Sequence, residues 1–298
     1  MEIVSYAMGE GAGYDEGYKA GQDSDAYQEG YNAGEAAGYA TGYDAGYTDG
    51  ATSVNSVKAL LDYTKSTQIL FYYYTGGPEL LTNEKLQELI KYDDTENVTH
   101  MEQMFGCQGL LTNIPLLNTS KVTRMDSMFA GDTVQAPPFH NGGTPPLFDT
   151  SNVTNITRMF DAPGAQANPT TKSNNMTALP LYDFGKVTSC GYFLRGCRSL
   201  LSVPALNFRS LPITSNDFAY IDWAKNSGIR EIHIVDIHYN FNISFYNTFT
   251  REALVEIIGN LRDMTGSTAK TLTMGATNMA KLTTDDIAVA TAKNWTIA

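Results

Sequence analysis

Apolar positions recur through the middle of the chain at intervals that predict a stack of similar coils. The segments NVTHMEQMFGC, KVTRMDSMFAG and NVTNITRMFDA begin at Asn97, Lys121 and Asn152, and degenerate copies begin at Lys186 and Ser210. Each copy has an apolar anchor and, seven positions later, a second apolar residue. The anchors are Val98, Val122, Val153, Val187 and Leu211, and the later residues are Phe105, Phe129, Phe160, Leu194 and Phe218. Such a repeat indicates a solenoid, in which the Val, Met and Phe positions form internal ladders.

The connectors between copies also resemble one another. The phrases LLTNIPLLN, TPPLFD, MTALPLYD and LLSVPALN precede the later anchors. Four positions before each anchor stands an Asn or Asp, namely Asp94, Asn118, Asp149, Asp183 and Asn207. Because short polar side chains bond nearby backbone amides, we expect these residues to cap the turn into each copy. In the fourth copy Cys190 and Phe193 replace the methionines.

Two copies are longer than the rest, with extra residues at 131–146 and 161–175, at the same place in each. Equivalent insertions emerge on one side of a solenoid, often the side that binds a ligand. The candidate ligand-binding residues there are Phe139, His140, Asn141, Gln166, Asn168 and Lys172. The alternative is that these loops have no function, since lengthening a surface loop costs little conformational free energy.

Flanking the repeat are segments with helical and strand periodicity. SVNSVKALLDYT and TNEKLQELIKY predict two helices before it, the second capped by Thr82 or Asn83. After it, the stretch that follows Ser227 alternates apolar and polar residues from Val235 to Phe245, which predicts one or two strands. A helix capped near Thr250, a strand at AKTLTMG, a helix at TTDDIAVATAKN and a strand at WTIA complete a C-terminal cap.

The first 52 residues have a different pattern, with glycine at every fourth position from Gly30 to Gly50. Six glycines oppose an isolated helix, because each costs about 1 kcal/mol relative to alanine. Close approach of a second helix offsets that cost, as in small-xxx-small packing, and tyrosine rings cover the thin backbone. The alternatives are a flexible linker and a pair of strands. The preferred prediction is an oligomerising helix, formed through Gly30, Tyr31, Gly34, Gly38, Tyr39, Gly42, Tyr43, Gly46, Tyr47 and Gly50.

Composition narrows the classes of partner. The 298-residue chain has a formal net charge of -12, which offers no footprint for nucleic acid. MEIVSYAMGEGAG lacks the basic region and apolar core of a signal peptide, and no run approaches the roughly 20 apolar residues of a membrane span. We therefore expect a protein made in the cytosol. Three cysteines without CxxC spacing predict neither a disulfide framework nor a zinc site.

Catalytic and metal-binding motifs are not apparent. There is no G-x-S-x-G, H-E-x-x-H or phosphate loop. His233 and His238 lie on the predicted strand around Asp236, but a solvated strand face explains them better than a metal. Asp285 and Asp286 fit the first turn of a helix, where the helix dipole favours them. We expect no enzymatic activity and no cofactor.

Two resemblances bear on function. Residues 13–50 are similar to the GxxxG helices of flagellar export ATPase regulators, where such helices pair. Residues 94–220, through the three clear copies and the connectors IPLLN and LFDTSNV, resemble the BspA-type leucine-rich repeats of bacterial surface proteins and mycoplasma lipoproteins. Repeats of this kind also occur in phage structural proteins. The N-terminal segment SYAMGEGAG resembles the opening segment of those proteins, and LTMGATNMAKLTTDDIAVATAKNW resembles their closing segment.

The resulting expectation is an α+β chain in four parts. These are a Gly/Tyr stalk and anchor at 1–52, a helical cap at 53–93, a leucine-rich-repeat-like solenoid at 94–220 and a strand/helix cap at 221–298. The resemblance implies a non-enzymatic phage virion fibre or decoration protein, assembled in the host cytoplasm. Its partners would be itself as a dimer or trimer, other virion proteins through its N-terminus, and a host surface glycan or protein. The alternatives are a bacterial surface adhesin and an envelope glycan depolymerase.

Overall fold

The elements described here come from a computed structural model. It describes residues 58, 61–62, 65, 67, 81–132, 135–163, 173–212, 229–244 and 246–298. The chain divides into two units, Met1–Leu60 and Leu61–Ala298, and the elements below belong to the second. They include both helices and strands. Among these residues, no helix combines the length and apolar character needed to cross a membrane.

Short elements alternate along this unit. The helices are α1 (Asn83–Leu89), α2 (Arg251–Gly259), α3 (Ala276–Met279) and α4 (Thr284–Ala292), with a 3₁₀ turn at Tyr92–Thr95. The strands are β1 (Ser202–Val203), β2 (Glu231–Ile232), β3 (Phe241–Asn242), β4 (Lys270–Thr273) and β5 (Trp295–Ile297). β1 pairs with β2, and β3, β4 and β5 form a three-stranded sheet in that order; all pairings are parallel.

The first four copies of the repeat lie side by side. Single parallel bridges join His100 to Arg124, Arg124 to Asn155, and Asn155 to Ser189. In the first three copies the amide of the second apolar residue donates to a carbonyl of the next copy, for example Phe105 to Met128 and Phe129 to Met159, at 2.9 and 2.8 Å. The backbone of each copy is therefore fixed against its neighbour over several residues.

Apolar side chains of successive copies meet inside this stack. Val98, Val122, Val153 and Val187 are all fully buried, as are Met101, Met125, Ile156 and Cys190. The ring centroids of Phe105 and Phe129 are 5.6 Å apart, and those of Phe129 and Phe160 are 5.2 Å apart. The predicted internal positions are thus buried in all four copies, and the Phe rings of the first three copies stack on one another.

The fourth copy keeps the register of the others although its residues differ. The Phe160 amide donates to the Phe193 carbonyl, as Phe129 does to Met159. That bond aligns Leu194 with Phe160, as the spacing predicts. The Phe193 side chain takes the place of a methionine, and its ring centroid lies 5.7 Å from that of Phe160. Phe218 of the fifth copy lies outside the described residues.

The residue four positions before the anchor caps the turn, as predicted, in the later copies. The side-chain oxygens of Asn118, Asp149, Asp183 and Asn207 accept from the amide two residues ahead, at 2.9–3.2 Å. The Ser151 hydroxyl and amide lower the pKa of Asp149 by bonding its carboxylate. Asp94 differs, because its carboxylate accepts from the Lys91 amide at the start of the 3₁₀ turn.

The fifth residue after each anchor has a left-handed backbone. Gln103, Ser127, Arg158 and Tyr192 have φ angles of 54°, 56°, 58° and 59°. All four are polar, but none is glycine, asparagine or aspartate, the residues that usually mark a left-handed turn, so the sequence gives no sign of the turn. A non-glycine residue in this region costs about 1–2 kcal/mol, which the cross-copy hydrogen bonds on either side offset.

The predicted flanking helices and strands largely agree with the structure. Thr82 caps α1, since its hydroxyl accepts from the Lys85 amide at 3.3 Å, and Thr250 caps α2 through the Ala253 amide. AKTLTMG, TTDDIAVATAKN and WTIA contain β4, α4 and β5. The first predicted helix, in SVNSVKALLDYT, falls almost wholly outside the described residues.

The alternation predicted from Val235 to Phe245 is wrong at its start. Val235 is half-buried, while Ile232 and Ile234 before it are buried. Apolar burial resumes at Ile237 and continues at alternate residues to Ile243. His238 is buried as well, so the solvated face expected for it is wrong. Asp236, with a φ of 57°, lies between the two series. Its left-handed turn shifts the phase of the pattern by one residue, so the apolar residues before and after it reach the same interior.

Candidate recognition surfaces

One surface of the stack consists of polar side chains in columns. The residues one before, one after and two after each of the first four anchors are all exposed or half-buried. This polar face comprises Asn97, Lys121, Asn152 and Lys186; Thr99, Thr123, Thr154 and Thr188; and His100, Arg124, Asn155 and Ser189. Extended backbone around the buried anchor explains the first two of these columns, because alternate side chains point to opposite sides.

Hydrogen bonds run along two of these columns. The hydroxyls of Thr123, Thr154 and Thr188 each donate to the carbonyl of the previous threonine, at 3.1–3.3 Å. Beside them, Lys121 donates to the side-chain oxygen of Asn97 and Lys186 to that of Asn152, both at 2.6 Å. The side chains of Asn97 and Asn152 therefore take part in hydrogen bonds that join one copy of the repeat to the next.

Two arginines lie close to the ring of Tyr192, the left-handed residue of the fourth copy. The guanidinium carbons of Arg195 and Arg158 lie 4.2 and 5.5 Å from the Tyr192 ring centroid, within reach of a cation–π contact. Arg195 also donates two hydrogen bonds to the buried Asp161 carboxylate, at 2.5 and 2.6 Å. Burial raises the pKa of Asp161, while Arg195 opposes that rise. The Arg158 side chain is 54% exposed, so it is accessible to a ligand.

The first insertion extends the stack and is not a free loop. The Phe139 amide donates to the Leu111 carbonyl at 2.7 Å, and the Phe139 carbonyl accepts from the Asn175 amide at 3.0 Å. Gly143 approaches Thr112 so closely that a Cβ there would lie 2.2 Å from the Thr112 carbonyl oxygen. The insertion thus adds a second row of bonds between copies.

The predicted ligand-binding residues consequently have different roles. Phe139 is a correction: it is fully buried, with its ring centroid 5.5 Å from that of Phe129, because the insertion turns back into the core. The His140 ring bonds the Ser173 carbonyl and the Asn141 side chain donates to the Gly109 carbonyl, at 2.9 and 3.2 Å. Gln166, Asn168 and Lys172 lie outside the described residues, as do all ten predicted oligomerisation residues between Gly30 and Gly50.

A second surface, which sequence reasoning missed, is apolar. The residue six positions before each anchor is exposed in all five copies, and we call this column the leucine stripe: Tyr92, Leu116, Leu147, Leu181 and Ala205. The first four are 49%, 52%, 61% and 60% exposed. The signal was present in the connectors, where IPLLN, PPLFD, LPLYD and VPALN have an apolar residue directly after proline.

The histidines near Asp236 are occupied by other contacts. Both ring nitrogens of His238 lie 2.8 Å from backbone carbonyl oxygens, those of Asp236 and Leu211. Arg262 pairs with the Asp236 carboxylate and lowers its pKa. Within the described ranges, no group of three or more His, Cys, Asp and Glu side chains is arranged to hold a metal ion.

Comparison with known families gives one match. Residues 79–200 match the family described as Mycoplasma protein of unknown function, DUF285. This stretch contains the first four copies of the repeat, so the predicted similarity to mycoplasma repeat proteins is confirmed at the level of that family. No curated protein and no solved structure matches the chain.

Proposed function

We propose that the chain is a non-enzymatic attachment protein, in which residues 94–220 form a leucine-rich-repeat-like solenoid that presents its polar face to a cell surface. The observation that carries the proposal is the column arrangement: the same polar positions of four successive copies line up on one side. Hydroxyls, amides and cations at regular spacing suit the hydroxyl and acidic groups of a surface glycan, which need many directed polar contacts.

The proposed location is a phage virion, with the N-terminal Gly/Tyr tract as the oligomerising anchor. Support comes from the opening SYAMGEGAG and the closing segment 272–295, which resemble the ends of phage structural proteins. The closing segment spans β4, α3, α4 and the start of β5, and so acts as a terminal cap. Immunogold labelling should place the protein on particles; label confined to infected cytosol would contradict this.

A bacterial surface adhesin is the second candidate, and the family match favours it. The matched family is described from Mycoplasma, and the match lies in the repeat and not in the segments that resemble phage proteins. Labelling of uninfected cells separates the two candidates, because only an adhesin would be found on their surface.

Binding to intact cells tests the polar face directly. The double variant Lys121→Ala/Lys186→Ala removes two exposed cations from it, and we expect at least a tenfold loss of cell binding. The matched control is Lys85→Ala/Arg230→Ala, which removes two exposed cations elsewhere and should bind normally. Equal binding by both variants would exclude this part of the face. Incubation with host envelope glycan should release no reducing sugar.

A further inference from the structure

The leucine stripe is not required by the packing of the stack. The neighbouring residues Leu117, Phe148, Tyr182 and Leu206 are buried, so they supply the apolar contacts of each connector. Alternation then directs the stripe residues outward, where a polar side chain would serve equally well. A contiguous exposed apolar patch marks an interaction site more often than an accident of sequence.

The distance between successive residues of the leucine stripe determines which kind of partner can match it. Parallel bridges join His100, Arg124, Asn155 and Ser189 in series, so neighbouring copies follow the spacing of paired strands, about 4.8 Å. The hydroxyls of Thr119 and Thr150 also bond the Asp149 and Asp183 carbonyls of the next connector, both at 2.8 Å. An extended strand presents same-face side chains about 6.7 Å apart, and a helix one turn every 5.4 Å or so. Over the four intervals between the five stripe residues, the side chains of a bound helix would therefore move out of register with the stripe by about 2 Å, and those of a bound strand by more than 7 Å.

The leucine stripe of a second molecule of this chain has the same spacing, so its side chains stay in register with the first stripe over the whole length. We propose that the leucine stripe is a contact between two copies of this chain, related by a two-fold axis at Leu147. Antiparallel stripes then place Leu116 of each molecule against Leu181 of the other molecule. They also pair the largest member, Tyr92, with the smallest, Ala205, whereas parallel stripes would oppose two tyrosines.

Charge and area set the strength of this contact. The stripe itself contains no charged side chain, but each chain has a formal net charge of -12, so salt should strengthen association by screening repulsion. Five such side chains expose on the order of 500 Å², less than the roughly 800 Å² per partner of a standard interface. The pairing is therefore weak and concentration-dependent.

Sedimentation of the full chain over a range of concentrations tests the contact. Leu147→Asp should abolish the concentration-dependent step in mass, while Leu110→Asp, which changes a 47% exposed leucine outside the stripe, should keep it. If both variants match the wild type, or if Leu147→Asp loses cell binding with its mass unchanged, the proposal is wrong. The change in mass does not depend on which surface contacts the host, so it can fail while the proposed polar face stands.

Cross-linking tests the geometry. Oxidation of a mixture of Leu116→Cys and Leu181→Cys chains should give a disulfide-linked dimer of one of each, well above the wild-type background from Cys107. Leu110→Cys mixed with Leu181→Cys is the matched control and should remain at background. Cross-linking of Leu116→Cys with itself in preference to the mixture would overturn the antiparallel arrangement.

Discussion

Phe129 packs against four other phenylalanine rings. Its centroid lies 5.2–6.3 Å from those of Phe105, Phe139, Phe148 and Phe160, and it is fully buried. Two of these partners belong to neighbouring copies and one to the first insertion. Phe129 therefore joins the repeat to the insertion.

Replacement of this ring should be costly. We expect Phe129→Ala to lower the free energy of unfolding by about 3–5 kcal/mol, since it removes a large side chain from a packed site. Phe129→Leu, which keeps most of the volume, should cost less. Urea denaturation measures both, and a loss below about 1 kcal/mol for Phe129→Ala would contradict the packing.

The left-handed residue of each copy allows a test with opposite substitutions. At Ser127, glycine accepts a φ of 56° without steric cost, whereas valine does not. We expect Ser127→Gly to stay within about 1 kcal/mol of the wild type and Ser127→Val to lose about 1–3 kcal/mol. If thermal unfolding shows valine to be tolerated as well as glycine, the turn is not left-handed.

One histidine joins a strand and a helix in the C-terminal part of the chain. His233 follows β2, and its Nδ1 lies 2.6 Å from Glu256 on α2, while its Nε2 lies 3.5 Å from Glu231 on β2. The hydrogen bond to Glu256 is the main cause that raises the pKa of His233. A strand and a helix are thereby joined by an ion pair that depends on pH.

This contact should stabilise the protein in acid and not in base. Because the folded-state pKa exceeds the unfolded one, the contribution is complete below the unfolded value, near 6.5, and disappears as the pH rises through the folded value. His233→Gln should thus lose stability at pH 5.5 but little at pH 9, by an amount within about 0.2–1 kcal/mol for an exposed pair. Glu256→Gln is the matched variant, and a loss that does not change with pH would refute the pairing.

The sequence predicted those features that depend on contacts between residues close together in the chain, and it missed those that depend on distant contacts. Thr82 and Thr250 were found because a cap is a contact within three residues. Phe139 was misassigned, since its burial follows from a distant bond to Leu111. Val235 was misassigned because Asp236 shifts the phase of the strand pattern. Leu147 was overlooked, as the exposure of an apolar residue depends on how successive connectors align, and alignment is not visible within one copy.

For the molecule as a whole, the two proposed self-contacts should separate by concentration. Removal of residues 1–52 should lower the mass seen by light scattering at low concentration, because the proposed Gly/Tyr contact is lost. The shortened chain should still pair weakly at high concentration through the leucine stripe, and Leu147→Asp should remove that step. Circular dichroism checks that the shortened chain is folded. Equal masses for the full and shortened chains at low concentration would contradict the oligomerising tract.

Cross-copy bonding also bears on how such a chain can diversify. Each copy meets its neighbours through the same threonine, anchor and phenylalanine positions, so unequal recombination that adds or deletes one whole copy would leave compatible junctions on both sides. Every added copy would lengthen the polar face and the leucine stripe together, by about 4.8 Å. Descendants of this gene could therefore acquire longer reach and stronger pairing in a single genetic event, without any new interface having to evolve.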